Sequence, residues 1–253
     1  MSSPFDDCAF DYNQCRPDYP QVLFDDLLTE FRLPRDALII DIGAGTGRAA
    51  LAMAARRVRV IGLDPSPPML EEAKRNAIEL GLLSVSWHVG AAEDTGLPSG
   101  IADAIIMAQA FHWVRPAEAL TEFQRVLKPG GGLAVFWNSR DLTQPHLLTM
   151  EKLIKTYNPQ CHSRYQEKAW GDVIDASGRF HNIRHKLYRH SSRVSIEGII
   201  SLTRSFSYVR NVLDEARTLA FEMDLREQMA ALAQDGMLEM AYITDLWCAE
   251  SKP

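Results

Sequence analysis

The stretch from Leu38 to Asp64 constrains this chain more than any other. A compact β-branched run, Leu38-Ile-Ile-Asp-Ile42, passes directly into Gly43-Ala-Gly-Thr-Gly47. An alanine-rich helical segment follows over 48–57, then a second apolar run, Val58-Arg-Val-Ile-Gly-Leu63, which ends on an acid, Asp64. A strand that ends in glycines lets a ligand approach the backbone where a Cβ would collide. The helix after it turns its unpaired N–H groups toward that ligand. Asp64, at the end of the next strand, is placed to accept hydrogen bonds from two ribose hydroxyls. Together these parts point to a ligand that carries a nucleoside.

The same alternation continues downstream. Pro67 and Pro68 suit a helix start, and helix formers run over 69–80 until Gly81. Apolar runs over 85–89, 104–108 and 133–137 read as strands, with a helix over 116–127 and a turn at Lys128-Pro-Gly-Gly-Gly132 before the last of them. Strand and helix in turn imply parallel strands covered on both faces, and the strands are apolar without alternation, as buried parallel strands are. The fold class is α/β, doubly wound. One domain of 253 residues is expected. Its parts are an N-terminal cap segment over 1–35, a ligand-binding core over 36–138, a cap or substrate insertion over 139–215, and a helix and strand over 216–253 that complete the sheet.

Dinucleotide dehydrogenases share much of this layout, but their G-x-G-x-x-G turn cradles a pyrophosphate. Here the third glycine comes one residue early, and an acid, Asp41, precedes the turn. An acid there suits a cationic ligand better than a phosphate. Asp41-Ile-Gly-Ala-Gly-Thr-Gly47 resembles the first motif of the class I S-adenosylmethionine-dependent methyltransferases. Ala92-Glu93-Asp94-Thr-Gly-Leu-Pro98, Asp103–Trp113 and Leu127-Lys-Pro-Gly-Gly131 resemble that family's later motifs, in its order. Gln109-Ala-Phe-His-Trp113, Arg16-Pro-Asp-Tyr-Pro20 and Arg204-Ser-Phe-Ser-Tyr208 are most similar to its small-molecule members around trans-aconitate methyltransferase.

The resemblance implies a seven-stranded Rossmann-like sheet with a helical cap, and S-adenosyl-L-methionine as cofactor. It also implies a set of cofactor contacts: Asp41, Gly43, Ala44 and Gly45 in the turn, Asp64 and Pro65 after the second strand, Ala92 and Glu93 for adenine, and Gln109 for the amino-acid portion. Tyr12 or Arg16 would fold over the cofactor near its carboxylate, where an arginine makes charge-assisted hydrogen bonds; the other reading of that segment is a surface turn set by Pro17 and Pro20. Many relatives carry an Asp where this chain has Ala91, which shifts adenine recognition onto Glu93 and main-chain groups near Ala92.

Methyl transfer asks little acid–base chemistry of a protein, because the sulfonium is already activated and positioning supplies much of the rate. A carboxylate acceptor needs no base, whereas a hydroxyl, amine or carbon acceptor loses a proton. His112, just after the fourth strand, is the candidate base, or else it packs beside Trp113. Trp113, Trp137, Asn138, Trp170, Arg204, Ser207 and Tyr208 are candidates for the acceptor pocket, since aromatic walls with a few polar groups make such pockets.

Charge and cysteine usage narrow the classes further. A net charge of −6 argues against a nucleic-acid partner. The basic run from Arg179 to Arg193, with Arg184, His185, Lys186, Arg189 and His190, reads as a solvated strand, with a local basic patch as the alternative. Cys8, Cys15, Cys161 and Cys248 show neither zinc-ligand nor disulfide-framework spacing, and no metal site is expected. The N-terminal residues lack a signal-peptide pattern, and no apolar run is long enough to span a membrane, so a cytoplasmic protein with a small-molecule partner is expected. A nicotinamide-dependent oxidoreductase, a methyltransferase acting on RNA or protein, and a non-catalytic binding protein are the competing readings.

Overall fold

In the computed structural model, which describes residues 16–161 and 169–253, the sheet has seven strands in the order β3-β2-β1-β4-β5-β7-β6. They are β1 (Leu38–Ile42), β2 (Arg59–Asp64), β3 (Val85–Val89), β4 (Ala102–Ala108), β5 (Leu127–Arg140), β6 (Phe180–Ser195) and β7 (Met237–Ser251). The first five are parallel, and β7 runs antiparallel between β5 and β6. The chain first moves outward from β1 to β3, then returns to β4 on the other side of β1. The crevice beyond the carboxyl ends of β1 and β4 is therefore the switch point where ligands bind in such sheets.

Local chemistry sets the helices. Pro20 precedes α1 (Gln21–Glu30), and Gly47 caps α2 (Arg48–Ala54) with φ 87°. Ser66 accepts the Met69 N–H at 3.4 Å and Pro67 opens α3 (Pro67–Glu79), while Pro116 opens α4 (Pro116–Val126). The remaining helices are α5 (Pro145–Tyr157), α6 (Trp170–Ala176), α7 (Ile196–Arg204), α8 (Ser207–Arg210) and α9 (Glu215–Ala230).

Two apolar layers sandwich the sheet. One holds Ile40, Ile42, Phe111, Phe123, Trp137 and Trp170. The other holds Ile39, Leu23, Phe24, Ala50, Met53 and Phe136, with Tyr19 edge-on to Phe136 at 5.0 Å. A third cluster forms a cap: Met150, Ile154, Ile199, Phe206, Phe221 and Leu225 pack onto Leu238, Met240 and Tyr242 of β7. The β6–β7 ribbon carries it, since Ser191–Ser195 pair with Met237–Ala241 beyond the core of the sheet.

Three expectations change. The 139–215 segment is not wholly cap, because it supplies the edge strand β6. The expected turn at Lys128–Gly132 is a bulge inside β5, between the pairs Leu127–Ala102 and Gly132–Ala104, with Gly130 at φ 76°. The basic run is a strand, as expected, but several of its charges are paired rather than solvated: Arg184 and Lys186 pair with Glu30, Arg189 with Asp141, and His185 lies 2.5 Å from Asp245. No helix among the described residues is long and apolar enough to cross a membrane.

Candidate active site

The glycine turn folds back over β2. The N–H groups of Gly43 and Ala44 both reach the Leu63 carbonyl, at 2.7 and 3.0 Å. Gly43 and Gly45 sit at φ +69° and +55°, where side chains are strained. A Cβ on Gly43 would lie 2.6 Å from that of Ala110 on the far wall, whereas one on Gly45 would meet no protein atom within 4 Å. The turn is thus held tightly at its base and open at its tip.

Asp64 locks that tip. One carboxylate oxygen accepts the Gly45 N–H at 2.9 Å and the other accepts the Ser66 N–H at 2.9 Å. A cavity of about 340 Å³ opens here, lined by Gly43, Gly45, Asp64 and Pro65 on one side and by Gln109, Ala110, Trp113 and Val114 on the other. Gly90, Ala91, Ala92 and Met69 close its end. Its size and largely apolar lining suit a nucleoside-sized ligand.

A second cavity of about 80 Å³ adjoins the first, and Gln109 lines both. Gln109 is itself strained, at φ +57°, with its backbone N–H on the Phe136 carbonyl at 2.8 Å and its side-chain amide on the Asn138 carbonyl at 3.2 Å. Arg16, Arg48, Arg140, Tyr208, Asn138 and Phe206 are among the second cavity's walls. Arg140 pairs with Glu151 at 2.6 Å and donates to the Tyr208 hydroxyl at 3.3 Å. Arg16 reaches the Ser205 carbonyl at 3.0 Å and, like Arg140, stands over the Phe206 ring at 5.0 Å. Arg48 pairs with Asp18. Among the described residues the lining holds three guanidinium groups and no carboxylate.

Of the expected cofactor contacts, Gly43, Gly45, Asp64, Pro65, Ala92 and Gln109 meet at the first cavity. Arg16 lies in the second, and Tyr12 lies outside the described residues. Asp41, Ala44 and Glu93 do not line either cavity. Ala44 is spent on the turn's own hydrogen bond. Glu93 accepts the Arg115 N–H at 2.8 Å, tying the loop after β3 to the start of α4. Nearby, Glu122 of α4 accepts from the N–H and hydroxyl of Thr95, at 2.9 and 2.6 Å. The Arg125 guanidinium beside it holds the Glu122 carboxyl down at about 2.

Asp41 is buried on the α2 side of β1, and neither carboxyl oxygen has a hydrogen-bond partner among the described residues. Burial pushes its carboxyl up to about 8; the nearby amide of Ala50 opposes this, and the Asp64 charge adds to it.

The acceptor candidates divide. Trp113 walls the first cavity, and Asn138 and Tyr208 the second. Trp137 and Trp170 are core instead: both are buried and stack on each other at 5.2 Å. Arg204 points elsewhere, with its guanidinium on Glu222 of α9, at 2.6 Å for Nη2. Ser207 opens α8 and lines neither cavity. His112 sits in the 3-10 turn Phe111–Trp113, its Nδ1 3.1 Å from the Trp137 indole nitrogen. Arg140 and Arg48 were not anticipated from sequence. The signal for Arg140 was its place two residues past Asn138, at the carboxyl end of a core strand.

Residues 40–135 match the family model described as a methyltransferase domain. Over 246 residues the chain is 28% identical to an uncharacterised methyltransferase-like protein of Schizosaccharomyces pombe, spanning 96% of this chain and 93% of that one. Over 248 residues it is 29% identical to an uncharacterised methyltransferase of Mycobacterium tuberculosis, spanning 96% and 94%. A candidate type II methyltransferase of Anaeromyxobacter dehalogenans has the same fold, with TM-score 0.68 and 22% identity over 94% of this chain and 97% of that one. The crevice, its glycine turn and Asp64 thus lie within a matched methyltransferase domain, and the protein is an S-adenosylmethionine-dependent methyltransferase with the fold of the solved ones.

Proposed function

We propose that this enzyme methylates a small anionic acceptor, a carboxylate above all, held in the second cavity. One observation carries the reading: a cavity bounded by Arg16, Arg48 and Arg140, with no carboxylate among the described residues of its lining, meets the cofactor crevice at Gln109. Guanidinium groups recognise planar anions bidentately, and low-dielectric walls strengthen that attraction. Gln109–Trp113 and Arg16–Pro20, the segments that resemble the trans-aconitate methyltransferase group, both contribute to these walls, which supports placing the enzyme among small-molecule methyltransferases.

S-adenosylmethionine, when bound, would supply an activated methyl group to an acceptor oxygen, the S–C bond's electron pair staying on sulfur as the O–C bond forms. The protein's share is positioning. Asp64 and Gly45 hold the ribose end, and Trp113 covers the cleft. Arg16 and Gln109 suit the cofactor's own carboxylate, while Arg140 and Tyr208 hold the acceptor. Holding the reacting groups at about 3–3.5 Å supplies much of the barrier reduction.

The test incubates the protein and S-adenosylmethionine with a panel of mono-, di- and tricarboxylates beside neutral alcohols and amines. Formation of S-adenosylhomocysteine with a base-labile methyl ester is expected. Turnover confined to the neutral acceptors would overturn the reading. With an active carboxylate, Arg140→Gln should raise KM at least tenfold, an effect of about 1.4 kcal/mol, and leave S-adenosylhomocysteine affinity unchanged.

A further inference from the structure

We propose that Trp137 is a positioning residue that fixes His112 as an Nε2–H hydrogen-bond donor, so that His112 withdraws no proton from the acceptor. The argument begins with the indole. A tryptophan Nε1–H can only donate. At 3.1 Å from Nδ1 of His112, it requires that nitrogen to be the unprotonated one. A neutral imidazole carries its single proton on the other nitrogen, so Nε2 is the donor. To take a proton, the ring would have to offer a lone pair that Trp137 already occupies or one that Nε2 does not have.

The arrangement is rigid on both sides. Trp137 is 1% exposed and lies nearly flat on Trp170, at 5.2 Å and 18°. Trp170 meets Phe111 edge-on at 5.3 Å, and Phe111 anchors the turn that bears His112. That turn is closed by the Trp113 N–H on the Ala110 carbonyl at 2.9 Å, and Gln109 before it is clamped to Phe136. The His112 ring in turn packs against Trp113, the cleft wall, with centroids 4.9 Å apart. The indole cannot swing away without opening a stack of buried aromatic rings. A side chain locked in this way by its supporting shell keeps the turn beside the cleft in register.

A consequence rests on the proposed function: the attacking atom must reach the site without its proton, as a carboxylate does at neutral pH. The tautomer itself does not depend on that reading. The experiment uses the full chain with ring-15N-histidine and S-adenosylhomocysteine, so no acceptor enters it. In the wild type, the His112 signals, identified by their loss in His112→Gln, should show an unprotonated Nδ1 and a protonated Nε2. A correlation across the hydrogen bond should connect Nδ1 to an indole proton. In Trp137→Phe, which keeps an aromatic ring and removes the donor, the two nitrogens should shift toward each other as the tautomers exchange. A protonated Nδ1 in the wild type would overturn the proposal, and so would a spectrum unchanged by Trp137→Phe. Should that variant not fold, the wild-type correlation decides alone. Failure of the carboxylate panel would leave all of these signals as they are.

Discussion

Asp41→Asn offers the sharpest test of how the site is built, because it separates an acid that binds from an acid that is only buried. In the folded chain the Asp41 carboxyl is pushed up to about 8 by burial, against 3.8 for an ordinary aspartate. Between those limits the folded state holds a proton that the unfolded state has released, so stability falls as pH rises. It is highest below the ordinary aspartate range and is lost progressively up to about pH 8. At about 1.36 kcal/mol per pH unit, the fall across the full window is roughly 5–6 kcal/mol, and about 4 kcal/mol of it lies between pH 5 and pH 8. Asparagine keeps the shape and removes the proton. Urea unfolding of both proteins from pH 5 to 8 should therefore show the variant gaining on the wild type by about 4 kcal/mol across the range. Parallel curves, with a difference changing by less than about 0.5 kcal/mol, would refute the reasoning. Because Asp41 lines neither cavity, the variant should also keep its affinity for S-adenosylhomocysteine at neutral pH. A loss beyond tenfold, roughly 1.4 kcal/mol, would return Asp41 to the cofactor contacts that its place before the glycine turn suggests.

Asp64→Ala should weaken S-adenosylhomocysteine binding about 100-fold or more by calorimetry, since two charge-assisted hydrogen bonds are worth about 1.5–3 kcal/mol each; unchanged affinity would mean that Asp64 holds only its own turn. Glu122 behaves in the opposite sense to Asp41. Its carboxyl is held down at about 2 by Arg125 and Thr95, so its contribution is fully present above pH 4.5 and lost as pH falls toward 2. Acid unfolding of Glu122→Gln should lack a component of no more than about 3 kcal/mol that the wild type shows in that window. His112→Gln, which retains an amide donor and cannot accept a proton from the acceptor, should keep kcat within roughly tenfold, whereas loss of a general base would cost about 10²–10⁴-fold.

The parts of the site that were legible in the sequence are those fixed by neighbours close along the chain. The turn from Gly43 to Gly47, the acid at the end of β2 and the Pro-led starts of α3 and α4 are local chemistry, and the structure holds them where the pattern put them. What was not legible depends on partners far away. β6 reads as a strand with solvated charges, but the pairing of Arg184, Lys186 and Arg189 with Glu30, Asp141 and Glu250 comes from distant elements. Arg204 looked like a pocket residue until α7 packed near α9 and set Glu222 beside it. Arg140 escaped notice because β5 outruns its apolar segment, and the extra residues are held in the sheet by pairing with β7, from Ser139 opposite Ile243 to Arg140 opposite Tyr242.

Along β5 the side chains alternate, so Trp137 and Asn138 cannot both face the same cavity. Phe136 joins one core layer, Trp137 the other, and Asn138 takes the second cavity. Trp137, placed behind the site, still acts on it through its hydrogen bond to His112. The face of the strand that does not touch the ligand thus decides which proton the turn above it can offer.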